Sequence, residues 1–191
     1  MPKRETENAM KKLILTMIVI GVLGVGGVDA QTFTLKSDTM GGQLTDAQVF
    51  LGFGCNGKNI SPHLKWTNAP ATTKGFAVTV YDPDAPTGSG WWHWVVFNIP
   101  SDVTELREDA GNVKKNVSPK GSIQSVTDFG GPGFGGPCPP PGDKPHRYIF
   151  TVYALNVAKL DLDEKTPPAM VGFFLNQHAV AKASLISYYG R

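Results

Sequence analysis

Apolar and polar residues alternate with a period of two at several places along the chain. Phe33-Thr34-Leu35 predicts a short first strand, and Gly75 to Tyr81 predicts a longer one with Phe76, Val78 and Val80 on one face. Asp82-Pro83-Asp84-Ala85-Pro86 ends that strand, because Pro83 and Pro86 cannot donate to a ladder. Trp92 to Asn98 predicts another strand, with His93, Val95 and Phe97 on one face and Trp92, Trp94 and Val96 on the other. Arg147 to Leu155 is apolar enough to be central in a sheet, and Ala181 to Tyr189 predicts a returning strand. One helix is expected, opened by Thr166 as N-cap and Pro167 at the first helical position, with Met170, Phe173, Phe174 and Gln177 at helical spacing. Residues 109–145 show no period, and 130–142 are nearly all Gly and Pro; an ordered loop of that length is uncommon and often functional.

A different pattern opens the chain. Lys11-Lys12 precede an apolar stretch from Leu13 to Val28, which ends in Val28-Asp29-Ala30. A basic region, an apolar region and small residues before a cut make a signal peptide, so residues 1–30 are expected to be removed after Ala30, leaving Gln31 first. Met10 is an alternative start, because MKKLIL opens such a segment more typically than MPKRETENAM does. The rival reading, an uncleaved anchor, is disfavoured: the stretch is shorter than the ~20 apolar residues needed to span a bilayer and contains Gly21, Gly24, Gly26 and Gly27. No cysteine follows the cut to carry a lipid.

Composition narrows the picture. The 22 Gly and 15 Pro among 191 residues stay below the ~25–30% that marks low complexity, and 41% hydrophobic residues are enough for a buried core. The length after cleavage suits a single domain, residues 31–191. Lys+Arg number 18 against 16 Asp+Glu, giving +2, and about +1 after cleavage, which argues against a nucleic-acid binder. In an oxidising compartment the two cysteines, Cys55 and Cys138, read as a disulfide rather than two buried thiols. No CxxC redox motif is present.

Three segments hold the candidate chemistry. Asp82 and Asp84 place two carboxylates at a strand end, where a pair of turn acids is the plain alternative. His93 lies inside an aromatic strand, where a satisfied core histidine is the plain alternative. Gly135 to Tyr148 forms a Gly- and Pro-rich loop that can present backbone N–H groups to an anion, and no Gly-Lys-Ser/Thr follows to make it a nucleotide P-loop.

Gly57-Lys-Asn-Ile-Ser-Pro-His-Leu-Lys-Trp66, Asp82-Pro-Asp-Ala-Pro86, His93-Trp-Val-Val-Phe-Asn98 and the block from Gly136-Pro-Cys-Pro-Pro140 to His146-Arg-Tyr148 together resemble the phosphatidylethanolamine-binding proteins. That family is also called Raf kinase inhibitor-like, and the resemblance is greatest to its bacterial YbhB/YbcL branch, in which export and cysteines in both motif loops occur. It covers essentially all of residues 31–191. It implies a mainly β fold, with a large antiparallel sheet packed on a smaller one and a few peripheral helices. It also implies a small surface pocket for phosphate, a phosphorylated head group or another small anion. Asp82, Asp84, His93, His146 and Tyr148 match the pocket lining, and Gly136 and Pro139 match the loop forming one wall. Two departures stand out. Cys138 replaces a frequent glycine, and the pocket-closing C-terminal helix of animal members is expected to have no counterpart here.

The two aspartates would repel an anion if both faced it, so they are expected to orient His93, His146 or backbone N–H groups, or to hold an ammonium. Phosphoethanolamine would suit both halves of such a site. His63 and His178 read as structural. The leading function is an exported binding protein for a small phosphorylated or anionic ligand, acting in addition as an inhibitor if a periplasmic protein partner docks on the pocket face. The alternatives are a metal- or acid–base-assisted hydrolase and an interaction module with a vestigial pocket. No catalytic residue, metal or cofactor is assigned, and no membrane anchor is expected after cleavage. Any lipid contact is expected to be head-group specific rather than electrostatic adsorption.

Overall fold

The computed structural model describes residues 31–191, and Thr32–Arg191 form one compact unit. The predicted signal segment, its cut after Ala30 and the Met10 start lie outside the described residues.

Ten strands and one helix are present among the described residues. They are β1 (Thr34–Lys36), β2 (Leu51–Gly52), β3 (Cys55–Asn56), β4 (Leu64–Thr67), β5 (Gly75–Asp82), β6 (Trp91–Pro100), β7 (Glu105–Leu106), β8 (Ile123–Gln124), β9 (His146–Leu155), α1 (Pro168–His178) and β10 (Ala179–Tyr189). Every strand pair is antiparallel. The large sheet has the order β10-β9-β5-β6-β8, the small sheet β1-β4-β7, and β2-β3 is a separate hairpin. The mainly β architecture of two packed sheets is the expected one, with one helix at its periphery.

β5 lies at the centre of the large sheet and is apolar on both faces for that reason. Phe76, Val78 and Val80 meet Leu35, Leu64, Trp66 and Leu106 of the small sheet, while Ala77 faces a second cluster with Val95, Phe97, Val171 and Leu175. These two layers hold the large sheet rigid, and the pocket-bearing ends of β5, β6 and β9 with it.

Two expectations are corrected. Thr166 is not the N-cap of α1. Pro167 occupies that position without a side-chain cap, and Thr166 Oγ1 instead donates to Asp163 Oδ1 at 3.0 Å, closing the preceding turn. The inward face of α1 is Pro168, Val171 and Leu175, whereas Met170 and Phe173 are exposed.

The second correction concerns β6. Tyr81 pairs with Trp92 and Val80 with Trp94, so His93 is an extra residue in β6, a β-bulge. Bulges re-aim side chains and are enriched beside functional sites. Here the strict alternation is broken. Trp92 packs with the cluster of Val95 and Phe97, and His93 turns instead toward Tyr148 and Phe129.

Candidate functional site

β5 ends at Asp82, and Pro83 forces the chain out of the sheet. Asp82 Oδ1 accepts the backbone N–H groups of Asp84 at 2.8 Å and Ala85 at 3.0 Å, the Asx-turn geometry that suits Asp before a turn. Its Oδ2 is 2.8 Å from His146 Nδ1, where β9 begins. On the other side of the ring, His146 Nε2 lies 3.4 Å from Asp143 Oδ2. Asp82 and His146 are both buried. The carboxylate is therefore hydrogen-bonded by two amides and an imidazole, and it fixes the orientation of His146.

His93 Nδ1 is 2.6 Å from the carbonyl oxygen of Gly135. A carbonyl only accepts, so Nδ1 carries the proton and donates. Gly135 returns its N–H to the His93 carbonyl at 2.9 Å, which zips the Gly/Pro loop onto β6. Burial pushes the imidazole down to about 4, against opposing pulls from the Gly135 carbonyl and Asp82. His93 is neutral at pH 7, with Nε2 free of a proton.

Tyr148 packs edge-on against His93, with ring centroids 5.0 Å apart. It is buried, and its hydroxyl lies beside the Asp82 carboxylate without a hydrogen bond within 3.5 Å among the described residues. Burial, with Asp82 nearby, pushes the phenol well above its ordinary range, so it stays a neutral donor.

These groups share one pocket of about 180 Å³. Asp82, His93, His146 and Tyr148 make a buried polar floor. Phe53, Trp91, Phe129, Cys138 and Pro139 are among its apolar walls. Five residues expected at the site, Asp82, His93, Pro139, His146 and Tyr148, thus line a single cavity.

Two others do not. Asp84 points away and binds Arg147 in bidentate fashion, Nε to Oδ2 at 2.8 Å and Nη2 to Oδ1 at 2.7 Å, and it also accepts the Arg147 backbone N–H. That guanidinium holds the Asp84 carboxyl down to about 2. Asp84 therefore ties the turn after β5 to the start of β9. Gly136 sits behind the wall rather than in it. Its N–H donates to Asn59 Oδ1 at 2.7 Å, and an added Cβ would lie 1.8 Å from the Gln48 carbonyl oxygen.

The remaining histidines are away from the pocket. His63 lies between Asp38 and Glu105, and His178 Nδ1 is 3.1 Å from Asn156 Oδ1.

Asn59 was not singled out from the sequence, although it lies in the Gly57–Trp66 motif. It clamps the pocket loop from both sides, accepting from Gly136 and donating Nδ2–H to the Phe134 carbonyl at 3.0 Å. It does so in a left-handed backbone conformation (φ 53°), which Asn tolerates better than most residues. That residue type beside a turn was the available signal. The aromatic wall of Phe53, Trp91 and Phe129 had no local signal, because its members come from three separate segments. Cys55 and Cys138 form the expected disulfide, with Cα atoms 6.0 Å apart, and it pins the pocket loop to the β2–β3 hairpin.

The neutral state of His93 predicts acid sensitivity. Its folded value lies below the 6.5 of the unfolded chain, so the unfolded chain takes up the proton first as pH falls. Stability should decline from pH 6.5 down to about 4 and level off below, by on the order of 3 kcal/mol for this group. Urea unfolding across that range should show a shallower decline for His93→Gln than for the parent. Equal slopes would assign the acid loss to other groups.

The arrangement defines a class: a two-sheet β domain with a small pocket, polar at its floor and apolar at its walls. The family model described as Phosphatidylethanolamine-binding protein matches residues 34–190, and the chain belongs to that family. It is 48% identical over 180 residues to the protein YbcL of Escherichia coli (strain K12), covering 94% of this chain and 98% of that one. It is 50% identical over 149 residues to YbhB of the same organism, covering 78% and 93%. The crystal structure of Escherichia coli YbcL, described as a new member of the mammalian PEBP family, superposes with a TM-score of 0.82 at 51% identity, over 84% of this chain and 99% of that one.

Proposed function

We propose that the chain is an exported binding protein whose pocket takes a small phosphorylated or otherwise anionic head group. One observation carries this reading: Asp82, His93, His146 and Tyr148 converge on one small pocket, where the Tyr148 hydroxyl is a protonated donor beside the Asp82 carboxylate with no hydrogen bond within 3.5 Å. Burying an unpaired donor costs about 1–3 kcal/mol, a cost a ligand oxygen would remove. His93 lies beside it with Nδ1–H committed to Gly135. Its Nε2 then either accepts an O–H from the ligand or takes a second proton and donates to an anionic oxygen. Either way one proton accompanies a phosphate dianion into the site, so affinity rises as pH falls. Both oxygens of Asp82 are directed to the turn amides and His146 rather than to the ligand. The disulfide supports export, since such bonds persist in oxidising compartments, and so does the signal-like pattern of residues 1–30.

The test is a titration of residues 31–191 with phosphate and with phosphoethanolamine, followed by backbone NMR shifts. Saturable shifts around Asp82, His93 and residues 136–148 are expected, tighter at lower pH. Tyr148→Phe should weaken binding about tenfold or more, the loss of one hydrogen bond to a charged group. Absence of saturable shifts, or an unaltered affinity in Tyr148→Phe, would overturn the reading.

A further inference from the structure

We propose that Arg191 is a positioning residue for the pocket: its guanidinium joins the β2–β3 hairpin to the pocket loop a second time, beside the disulfide, and so holds Phe53 in place as one wall. This rests on the small-anion reading above and names a residue outside the pocket that sets its shape.

The hairpin has little of its own to hold it. β2 and β3 are two residues long and form a separate pair. A lone two-stranded hairpin is marginal in water. Its loop is strained as well. Phe53 and Gly54 are the two central residues, with φ of +52° and +81°. Positive φ at both positions is the type I′ pattern, which favours Asn-Gly, and a bulky residue there is a genuine outlier. Such a conformation persists only where the surroundings impose it. Phe53 lines the pocket while 67% exposed, so core packing does not impose it. Its ring leans on Phe50 and Phe129, at centroid distances of 5.2 and 5.9 Å.

The constraint comes from the pocket loop, which the Asn59 clamp holds independently. Phe50 N–H donates to the Pro137 carbonyl at 3.1 Å, and the disulfide joins Cys55 to Cys138. A disulfide limits how far apart two segments lie, but the segments still turn about its single bonds. Arg191 removes that freedom. Its Nη1–H donates to the Gly54 carbonyl at 3.1 Å and its Nε–H to the Pro139 carbonyl at 2.6 Å. Gly54 precedes Cys55 and Pro139 follows Cys138, so the guanidinium spans the same two segments one residue further along each. Two adjacent links fix orientation where one fixes only separation. Arg191 is itself tied to the loop, because its carbonyl accepts the Gly142 N–H at 3.0 Å.

The task needs an arginine. A planar guanidinium presents its donors in a fixed fork and reaches two carbonyls at once, whereas a lysine ammonium is a point charge on a flexible stem. Hydrogen bonds from a charged donor are also the stronger kind. Arg191 is not among the residues that line the pocket, so it acts through Phe53 and Pro139, which do. A wall held in its bound position before the ligand arrives has less ordering left to lose on binding. Both apolar cores lie elsewhere, so loosening the wall leaves the two sheets intact.

The test uses residues 31–191, which contain the whole of both cores. Inorganic phosphate reaches only the polar floor, whereas phenyl phosphate adds a ring that meets the apolar wall. Arg191→Lys keeps the charge and loses the fork. It is expected to weaken phenyl phosphate about tenfold and inorganic phosphate less than about twofold, the pattern of a lost preorganised wall. Phe53→Ala should bring a similar loss, and adding Arg191→Lys to it should remove nothing more, since the two act on one contact. Amide hydrogen exchange reads the wall without a ligand. In Arg191→Lys the Phe50 amide, bonded across to Pro137, should exchange about tenfold faster, while Val152 in the centre of the large sheet keeps its parental rate. Parental affinity for phenyl phosphate in Arg191→Lys would overturn the proposal. So would equal losses for both ligands, additive losses in the double variant, or a matching acceleration at Val152, which would mark general destabilisation. If neither ligand binds the parent, the small-anion reading fails, and exchange at Phe50 alone decides the proposal: faster in Arg191→Lys upholds the positioning role, and unchanged removes it.

Discussion

Gly136→Ala is expected to cost about 4 kcal/mol of stability, the upper range for a single substitution. The added Cβ would lie 1.8 Å from the Gln48 carbonyl oxygen and 2.9 Å from Phe50 N. These are backbone atoms, and a side-chain rotation cannot relieve the clash. The opposing segment is held as well. Gln48 N–H donates to the Thr45 carbonyl, Phe50 N–H to the Pro137 carbonyl, and Asn59 N–H to the Val49 carbonyl, each within 3.1 Å. Relief therefore means breaking bonds on one segment or the other. The Asn59 clamp on Gly136 N–H would be the first lost, and Cys138 and Pro139 would move with the loop, so phosphoethanolamine binding should disappear too. Gly131→Ala serves as control, because an added Cβ there meets nothing within 4 Å. Urea unfolding compares the two variants. A loss below about 1 kcal/mol in Gly136→Ala would show that the loop can yield.

Replacing both bridging cysteines by serine is expected to lower the unfolding free energy by a similar amount, about 4 kcal/mol. The bridge joins residues 83 apart, and the chain-entropy model assigns that much to closing such a loop in the unfolded state. Because the effect acts mainly on the unfolded chain, the urea m-value should rise as that chain expands. Ligand affinity should also fall, since Cys138 lines the pocket and its partner anchors the hairpin beside it. Reducing the parent protein with a dithiol should reproduce the stability loss. A double variant as stable as the parent, with the same m-value, would show that the Arg191 and Asn59 contacts hold the loop unaided.

Much of this architecture was legible along the chain. The long strands β5, β6 and β9 were readable because strands buried between two layers must be apolar over most of their length. β2, β3, β7 and β8 were not, since two residues have no measurable period. Helix α1 was visible from Pro167 and its spacing. Its cap and its inward face were set by contacts instead, with Asp163 claiming Thr166 and the cluster around Phe97 selecting Val171 and Leu175.

The site divides in the same way. Asp82 and Asp84, two residues apart, read as a pair facing one direction. The Asx-turn separates them, turning Asp82 inward to His146 and leaving Asp84 to Arg147. The period-two pattern puts His93 on the face of Val95 and Phe97, because a bulge leaves no mark in it. It appears only when β6 is laid against β5.

The chemical inventory was a property of the sequence itself: which carboxylates, imidazoles and cysteines exist, where strands must run, and where Gly and Pro forbid them. These follow from local sterics and side-chain type. Tertiary structure alone decided which of those groups meet. Residues as far apart as Asn59 and Gly136, Cys55 and Cys138, or Gly54 and Arg191 become neighbours only in the folded chain, where the pocket loop meets the β2–β3 hairpin and the segments around it. The pocket and its apolar walls are made of such meetings, and they depend on burial and distance, which a linear pattern does not contain.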